Sequence, residues 1–362
     1  AQFCRRAFCI FNKIGLQPLG NLKLSFFVNC VSKDSFTMKY LTLLFLSFCF
    51  YTLSAQDGPQ VLEILDPRME ILISKNAKIE ILAEGFGWAE GPVWIPELNG
   101  ILFSDVPNNK AYLWTEKKGL SLFLYPSGMT NHAPNNKSAG SNGLGLDSDG
   151  NLILCQHGDR SISRLNNWFF EEPKYDVLVD HFNGKWLNSP NDLVFDKQGS
   201  IYFTDPPYGL RNGDEDDLKE LNFNGVFKWS AREEVKLVEK NMSRPNGIAL
   251  SLDEKTAYVA NSDPANDVIM AFDVLEDGFL NGRIFFDGNI LSQTREGLFD
   301  GLKMHSSGII FATGPGGVLL LDSMGVHLGT IMPGKKTANC SFDKDEQYLY
   351  LTSTDVLARV KL

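Results

Sequence analysis

Six polar residues recur along this 362-residue chain: Glu90, Asn142, Asn191, Asn246, Asp300 and Asn339, separated by 52, 49, 55, 54 and 39 positions. Two carboxylates and four amides gathered in one place would repel one another or stay unsatisfied unless a cation neutralised them. A hard ion suits such a set, since Ca²⁺ takes about 6–8 oxygen ligands from carboxylates, amide carbonyls and water. Not all six need touch it. Soft-ligand zinc or iron–sulfur chemistry is disfavoured, because no two Cys stand at C-x-x-C spacing and only five His are present. Asn-Gly at 142–143 and 246–247 also spells a hairpin turn. The Glu90-Gly91-Pro92 and Asp300-Gly301 copies fit that turn poorly, and each Asn precedes an inner strand instead of joining two. Asp147-Ser148-Asp149-Gly150-Asn151 opens like a calcium loop, but its twelfth position is Gly158, not a bidentate Glu.

The elements that must position these residues repeat with them. Each polar residue opens an alternating apolar stretch, a polar turn and a second apolar run ending in small or acidic residues. Glu90–Trp94 is followed by Gly100–Asp105, and Asn191–Phe195 by Ile201–Asp205. The spacing suits one four-stranded blade, and Asp147–Gly150 and Asp196–Gly199 carry hairpin chemistry. An all-β, six-bladed β-propeller over residues 75–362 is therefore expected, after a lead-in over 56–74. Equivalent positions of its blades converge on the central axis. A parallel α/β fold is disfavoured, since no strongly amphipathic helix of 12 or more residues separates the strand pairs. Two polar loops, Tyr125–Gly140 and Pro206–Leu221, leave the pattern; the second carries Asp214-Glu215-Asp216-Asp217. Each is expected either as solvated surface or as a cover over a pocket.

Charge narrows the partners. With 34 basic and 44 acidic residues, a net charge of −10, there is no footprint for a phosphate backbone, and nucleic acid is excluded as a partner. Residues 1–55 are different, with six basic residues and only Asp34 acidic. Met38-Lys39 precedes an uncharged apolar run ending Leu53-Ser54-Ala55, the layout of a signal peptide over 38–55 with cleavage after Ala55. Its 16 uncharged residues fall short of the roughly 20 that span a bilayer. Residues 1–37 are expected to be upstream or non-native sequence. The mature protein is then exported, periplasmic or secreted, with no membrane contact after cleavage, as a monomer or weak homodimer. It keeps only Cys155 and Cys340, both expected as buried free thiols.

Ala89-Glu90-Gly91-Pro92-Val93-Trp94, Ser189-Pro190-Asn191-Asp192, Arg244-Pro245-Asn246-Gly247 and Asp300-Gly301-Leu302 together resemble the signatures of the senescence marker protein/gluconolactonase/regucalcin-like family. The likeness covers roughly residues 75–360, with the motifs in order. Cys155–Arg160 and Ala260–Pro264 are most similar to its exported bacterial gluconolactonase-like members. This resemblance implies a six-bladed propeller with one catalytic divalent metal, Ca²⁺ foremost and Zn²⁺, Mg²⁺ or Mn²⁺ as alternatives. By the family pattern Glu90, Asn246 and Asp300 are its ligands, with Asn191 a fourth ligand or a substrate contact. The implied reaction is hydrolysis of a sugar-derived lactone, a small-molecule substrate, to its aldonic acid.

In that reaction the metal polarises the carbonyl and acidifies water. Asp300 is then the expected general base, with Asn142 and Asn191 orienting substrate hydroxyls or the oxyanion. His132, in the first long loop, is the one histidine expected at the pocket, whereas His157 is expected as a structural hydrogen-bonder. Asp205 and Asp263 are expected as supporting or turn residues. Two rivals remain: a related metallo-esterase or organophosphatase, and a non-catalytic interaction platform. A serine hydrolase lacks its G-x-S-x-G, and the HExxH zinc motif is also missing.

Overall fold

The computed structural model describes residues 60–168, 172–276 and 278–362. The expected signal peptide and the segment before it lie outside the described residues. Apart from short 3₁₀ turns, the described chain is built of antiparallel strands. They form six sheets of four or five strands in succession, plus one two-stranded hairpin. Blade 1 is Ala89–Ile95, Gly100–Asp105, Lys110–Thr115 and Gly119–Leu124, and blades 2, 3 and 4 begin with Ser141–Leu146, Leu193–Phe195 and Pro245–Leu250. Blade 5 begins with Leu302–Met304. Blade 6 takes three strands from the C-terminus, starting with Thr337–Phe342, and its fourth, Ile79–Glu84, from before blade 1. That pairing closes the ring, so the sheet stack has no free end to expose. The lead-in contributes as well, as Val61–Ile64 pairs antiparallel with His327–Met332 and gives blade 5 a fifth strand.

The turns form for local reasons. Asp147 Oδ1 accepts from the Asp149 and Asn151 amides, Asp196 Oδ1 does the same for Gln198 and Ser200, and Gly150 and Gly199 supply the positive φ that ends each turn. Packing then follows the alternation of the strands. Ile153 and Cys155 of blade 2 meet Phe203 and Phe227 of blade 3, while Leu102 of blade 1 meets Leu144 and Leu154 of blade 2. Each fully buried side chain of this size contributes about 1.5–3 kcal/mol. Cys155 and Cys340 are buried free thiols in two of these layers, as expected.

Candidate active site

Glu90, Asn142 and Asn246 sit on the innermost strands of blades 1, 2 and 4, and Asn191 and Asp300 stand immediately before those of blades 3 and 5. The strand register breaks at the ring residues of blades 1, 2 and 4, where Glu90 pairs with Ser104 but Val93 already pairs with Leu102. These bulges re-aim the polar side chain out of the strand alternation. The recurring glycine serves close packing, not a hairpin turn. A Cβ on Gly91 would lie 2.0 Å from the carbonyl oxygen of Asn142, and one on Gly247 2.0 Å from that of Asp300. Thus each such glycine seats the ring residue of the next blade. Hydroxyls on the second strands finish the ring: Ser104 Oγ donates to the Asn142 carbonyl at 2.8 Å, and Thr204 Oγ1 to that of Asn246 at 2.6 Å.

Five of the six residues, Glu90, Asn142, Asn191, Asn246 and Asp300, line one cavity of about 1000 Å³. Asn142 Oδ1, Asn246 Oδ1 and Asp300 Oδ1 are buried there with no hydrogen-bond partner among the described residues. Such atoms forgo about 1–3 kcal/mol each unless something completes them. Glu90 Oε2 accepts from the Gly91 amide at 2.9 Å. Burial first, and then the nearby Asp192 carboxylate, push the Glu90 carboxyl up to about 7. Asp300 is driven well above the usual carboxylate range by burial, then by Glu90 and Asp192. Among the described residues no three His, Cys, Asp or Glu side chains come together as a metal group. The donor set is instead two carboxylates completed by amides, which suits a hard oxygen-seeking cation.

Asn339 departs from its siblings. It lies off the cavity lining, donating from Nδ2 to Asp192 Oδ2 at 3.4 Å and accepting the Cys340 amide on Oδ1. Asp192 is the residue that sequence reasoning left without a role. It follows Asn191 where glycine follows Glu90, Asn142, Asn246 and Asp300, and that substitution was the available signal. A lysine of blade 5 also reaches this carboxylate, because Lys303 Nζ stands 3.6 Å from Asp192 Oδ2.

The histidines exchange places. His132 is not among the residues lining the cavity, contrary to expectation. Asp159 accepts the backbone amides of Thr130 and His132 and folds the loop back, so that His132 Nε2 meets Asp180 Oδ2 at 2.8 Å beside Trp186. His157 does line the cavity; it is buried, and its Nε2 has no partner among the described residues. Burial, then the Lys137 charge, lower its pKa to about 3, so the ring is neutral. Asp205 holds the Asn188 and Ser189 amides ahead of Asn191, and Asp263 accepts from Ser243 Oγ and the Ala265 amide, both in the supporting roles expected.

The two long loops clasp each other. Asn136 Nδ2 donates to both Asp216 oxygens at 2.9 Å, and Lys137 Nζ to the Tyr208 carbonyl at 2.7 Å. Lys137 and Tyr208 both line the cavity, so the loops form part of its wall. The acidic run is correspondingly not free: Asp216 is buried under Asn136, and Asp214 pairs with Arg244.

Residues 88–355 match the family described as the SMP-30/Gluconolactonase/LRE-like region. A gluconolactonase of Zymomonas mobilis is 39% identical over 302 residues, covering 82% of this chain and 84% of that relative. The solved structure of a gluconolactonase from Xanthomonas campestris superposes with a TM-score of 0.73 at 28% identity, covering 84% of this chain and 98% of its own. A calcium-binding regucalcin from Agrobacterium tumefaciens shares the fold at 16% identity and a TM-score of 0.60, over 79% of this chain and 93% of that one.

Proposed function

This chain belongs to the SMP-30/gluconolactonase/LRE-like family, and from that premise we propose that its cavity hydrolyses a sugar-derived lactone to the aldonic acid. One observation carries the reading: ring residues of five blades line one cavity, and three of them offer buried oxygens that lack partners among the described residues. Glu90, Asn246 and Asp300, with Asn191 as a fourth, are the residues that would hold a divalent cation, Ca²⁺ by the hardness of the donors. Orphaned amide oxygens beside carboxyls pushed upward form an environment that a positive charge relieves, so the residues fit the group. When bound, such an ion polarises the ester carbonyl and acidifies water.

The chain's own groups do the rest. Asp300, as the carboxylate, accepts a proton from the attacking water through Oδ1. It returns that proton to the ring oxygen as the acyl C–O bond breaks, leaving a hydroxy acid. Asn142 and Asn191 orient the substrate hydroxyls from the same floor. The test is acid release from a panel of lactones, with and without chelator. Activity is expected to vanish with chelator while circular dichroism keeps most of the β signal, because the blades carry their own apolar core. Loss of the fold together with the metal would make the site structural and remove the main support for catalysis. Export is part of the same proposal, supported by the composition of residues 38–55. The native protein should then begin near Gln56 by intact mass, and retention of 38–55 would count against it.

A further inference from the structure

His157 is one of the buried polar groups on the cavity that the proposed chemistry leaves unused. It follows the second strand of blade 2, Leu152–Gln156, and its backbone is fixed by donation to the Gly140 carbonyl at 3.1 Å. Neighbouring loops pack it tightly: a Cβ on Gly209 would lie 3.0 Å from His157 Cβ, and one on Gly158 would lie 2.4 Å from the Ala139 carbonyl oxygen. Within that packing Nε2 is buried without a partner among the described residues, although the ring lines the cavity. A neutral imidazole offers one N–H donor and one bare nitrogen acceptor. Leaving such an atom dry is unfavourable, and a ligand hydroxyl is a group that completes it.

Lys137 stands at the rim of the same wall. Its ammonium has three N–H donors, and the Tyr208 carbonyl takes one of them. No carboxylate pairs with it among the described residues, whereas the other basic groups at the rim do have acidic partners: Arg244 with Asp214, Arg295 with Glu63 and Lys336 with Glu296.

Resting on the lactone-hydrolase reading above, we propose that His157 and Lys137 form a hydroxyl-recognition wall, separate from the oxygen-lined floor, that makes the site specific for polyhydroxylated lactones over bare ones. The floor holds the reacting ester and, through Asn142 and Asn191, part of the hydroxyl contact. The wall needs the substituents, because a site that hydrogen-bonds a hydroxyl rejects an analogue that leaves its polar groups unpaired. Lys137 and Tyr208 come from the two loops that depart from the repeat, and His157 packs directly against the second of them.

The experiment compares D-glucono-1,5-lactone with δ-valerolactone, the same six-membered ester without hydroxyls, on the full chain and on His157→Phe, His157→Gln and Lys137→Met. The wild type should favour the sugar lactone in kcat/KM. His157→Phe and Lys137→Met should each cut that preference by about tenfold, chiefly through KM, and His157→Gln, which keeps hydrogen-bonding capacity, should restore part of it. Equal losses on both lactones, or an unchanged preference in both His157→Phe and Lys137→Met, would overturn the proposal. Calorimetric binding of the neutral, non-hydrolysable D-glucono-1,5-lactam reads the wall without turnover and covers the case in which His157→Phe does not fold. Wild-type binding that Lys137→Met and His157→Gln weaken supports the wall; absent wild-type binding, or binding equal in all variants, refutes it. A chain that binds the lactam through these residues yet hydrolyses no lactone keeps the wall and loses the hydrolase reading.

Discussion

The floor and the wall of the cavity are built in opposite ways. Every floor residue occupies an equivalent place in its blade. Backbone bulges at Glu90, Asn142 and Asn246, glycines packed against Asn142, Asn191 and Asp300, and second-strand hydroxyls on the Asn142 and Asn246 carbonyls hold these places. The wall has no such symmetry, since Lys137, His157 and Tyr208 come from separate loops pinned by scattered side-chain hydrogen bonds, Asn136 to Asp216 and Lys137 to the Tyr208 carbonyl among them. A repeat concentrates like groups at an axis, which suits charge and chemistry. Unequal loops supply the asymmetry needed to tell one ligand from another. The floor is therefore expected to tolerate change badly and the wall to tolerate it as altered selectivity.

Asp300→Asn breaks the floor hardest, because it keeps the size and one oxygen while removing the charge and the proton acceptor. A loss in kcat of about 10²–10⁴ is expected, together with weaker metal binding that excess metal repairs without restoring the rate. Asn142→Ala, on the same ring but without charge, should mainly raise KM. Near-normal kcat for Asp300→Asn at saturating metal would hand the proton transfer to another group.

Gly91→Ala tests whether the floor depends on close packing. With φ +49 and a Cβ 2.0 Å from a backbone oxygen, it should cost about 3 kcal/mol or more in denaturant unfolding. Gly150→Ala is the comparison, since its φ is +81 but nothing lies within 4 Å of the added Cβ. It should cost only about 1 kcal/mol, from backbone strain alone. Similar penalties at the two sites would mean that conformation, not blade-to-blade contact, explains the ring glycines.

The wall is read through pH. His157 has a folded pKa lowered to about 3 from an ordinary 6.5, by burial and then by Lys137. Between those values the unfolded chain binds a proton that the folded chain does not. The contribution is thus fully present above pH 6.5 and is lost as pH falls toward 3, by about 1.4 kcal/mol per pH unit at most. Urea midpoints of wild type and His157→Gln from pH 7 to 4 should diverge in slope, with the variant flatter. Parallel curves would show that the imidazole already takes up a proton in the folded state.

Much of this was legible in the chain itself. Strand alternation, Asp-anchored turns and a polar residue at regular spacing depend on interactions within a few residues or on the repetition of one unit. The six blades, the inner-strand position of Glu90, Asn142 and Asn246, and the buried thiols accordingly follow from pattern alone. The partners of Asp192 were not legible, because Lys303 and Asn339 reach it from other blades. Nor was the exchange of His132 for His157. A loop without periodicity gives no phase, and Asp159 turned that loop by taking its backbone amides.

The sequence by itself determined the propeller and the residues of its oxygen ring, since a repeated unit that buries its faces only against copies of itself has few other ways to close. Tertiary structure alone decided that Asn339 drops out of the lining, that two insertions clasp through Asn136 and Asp216, and that a buried histidine faces the cavity. Those outcomes depend on side chains meeting across tens of residues, where burial and hydrogen-bond completion, not local propensity, select the partner.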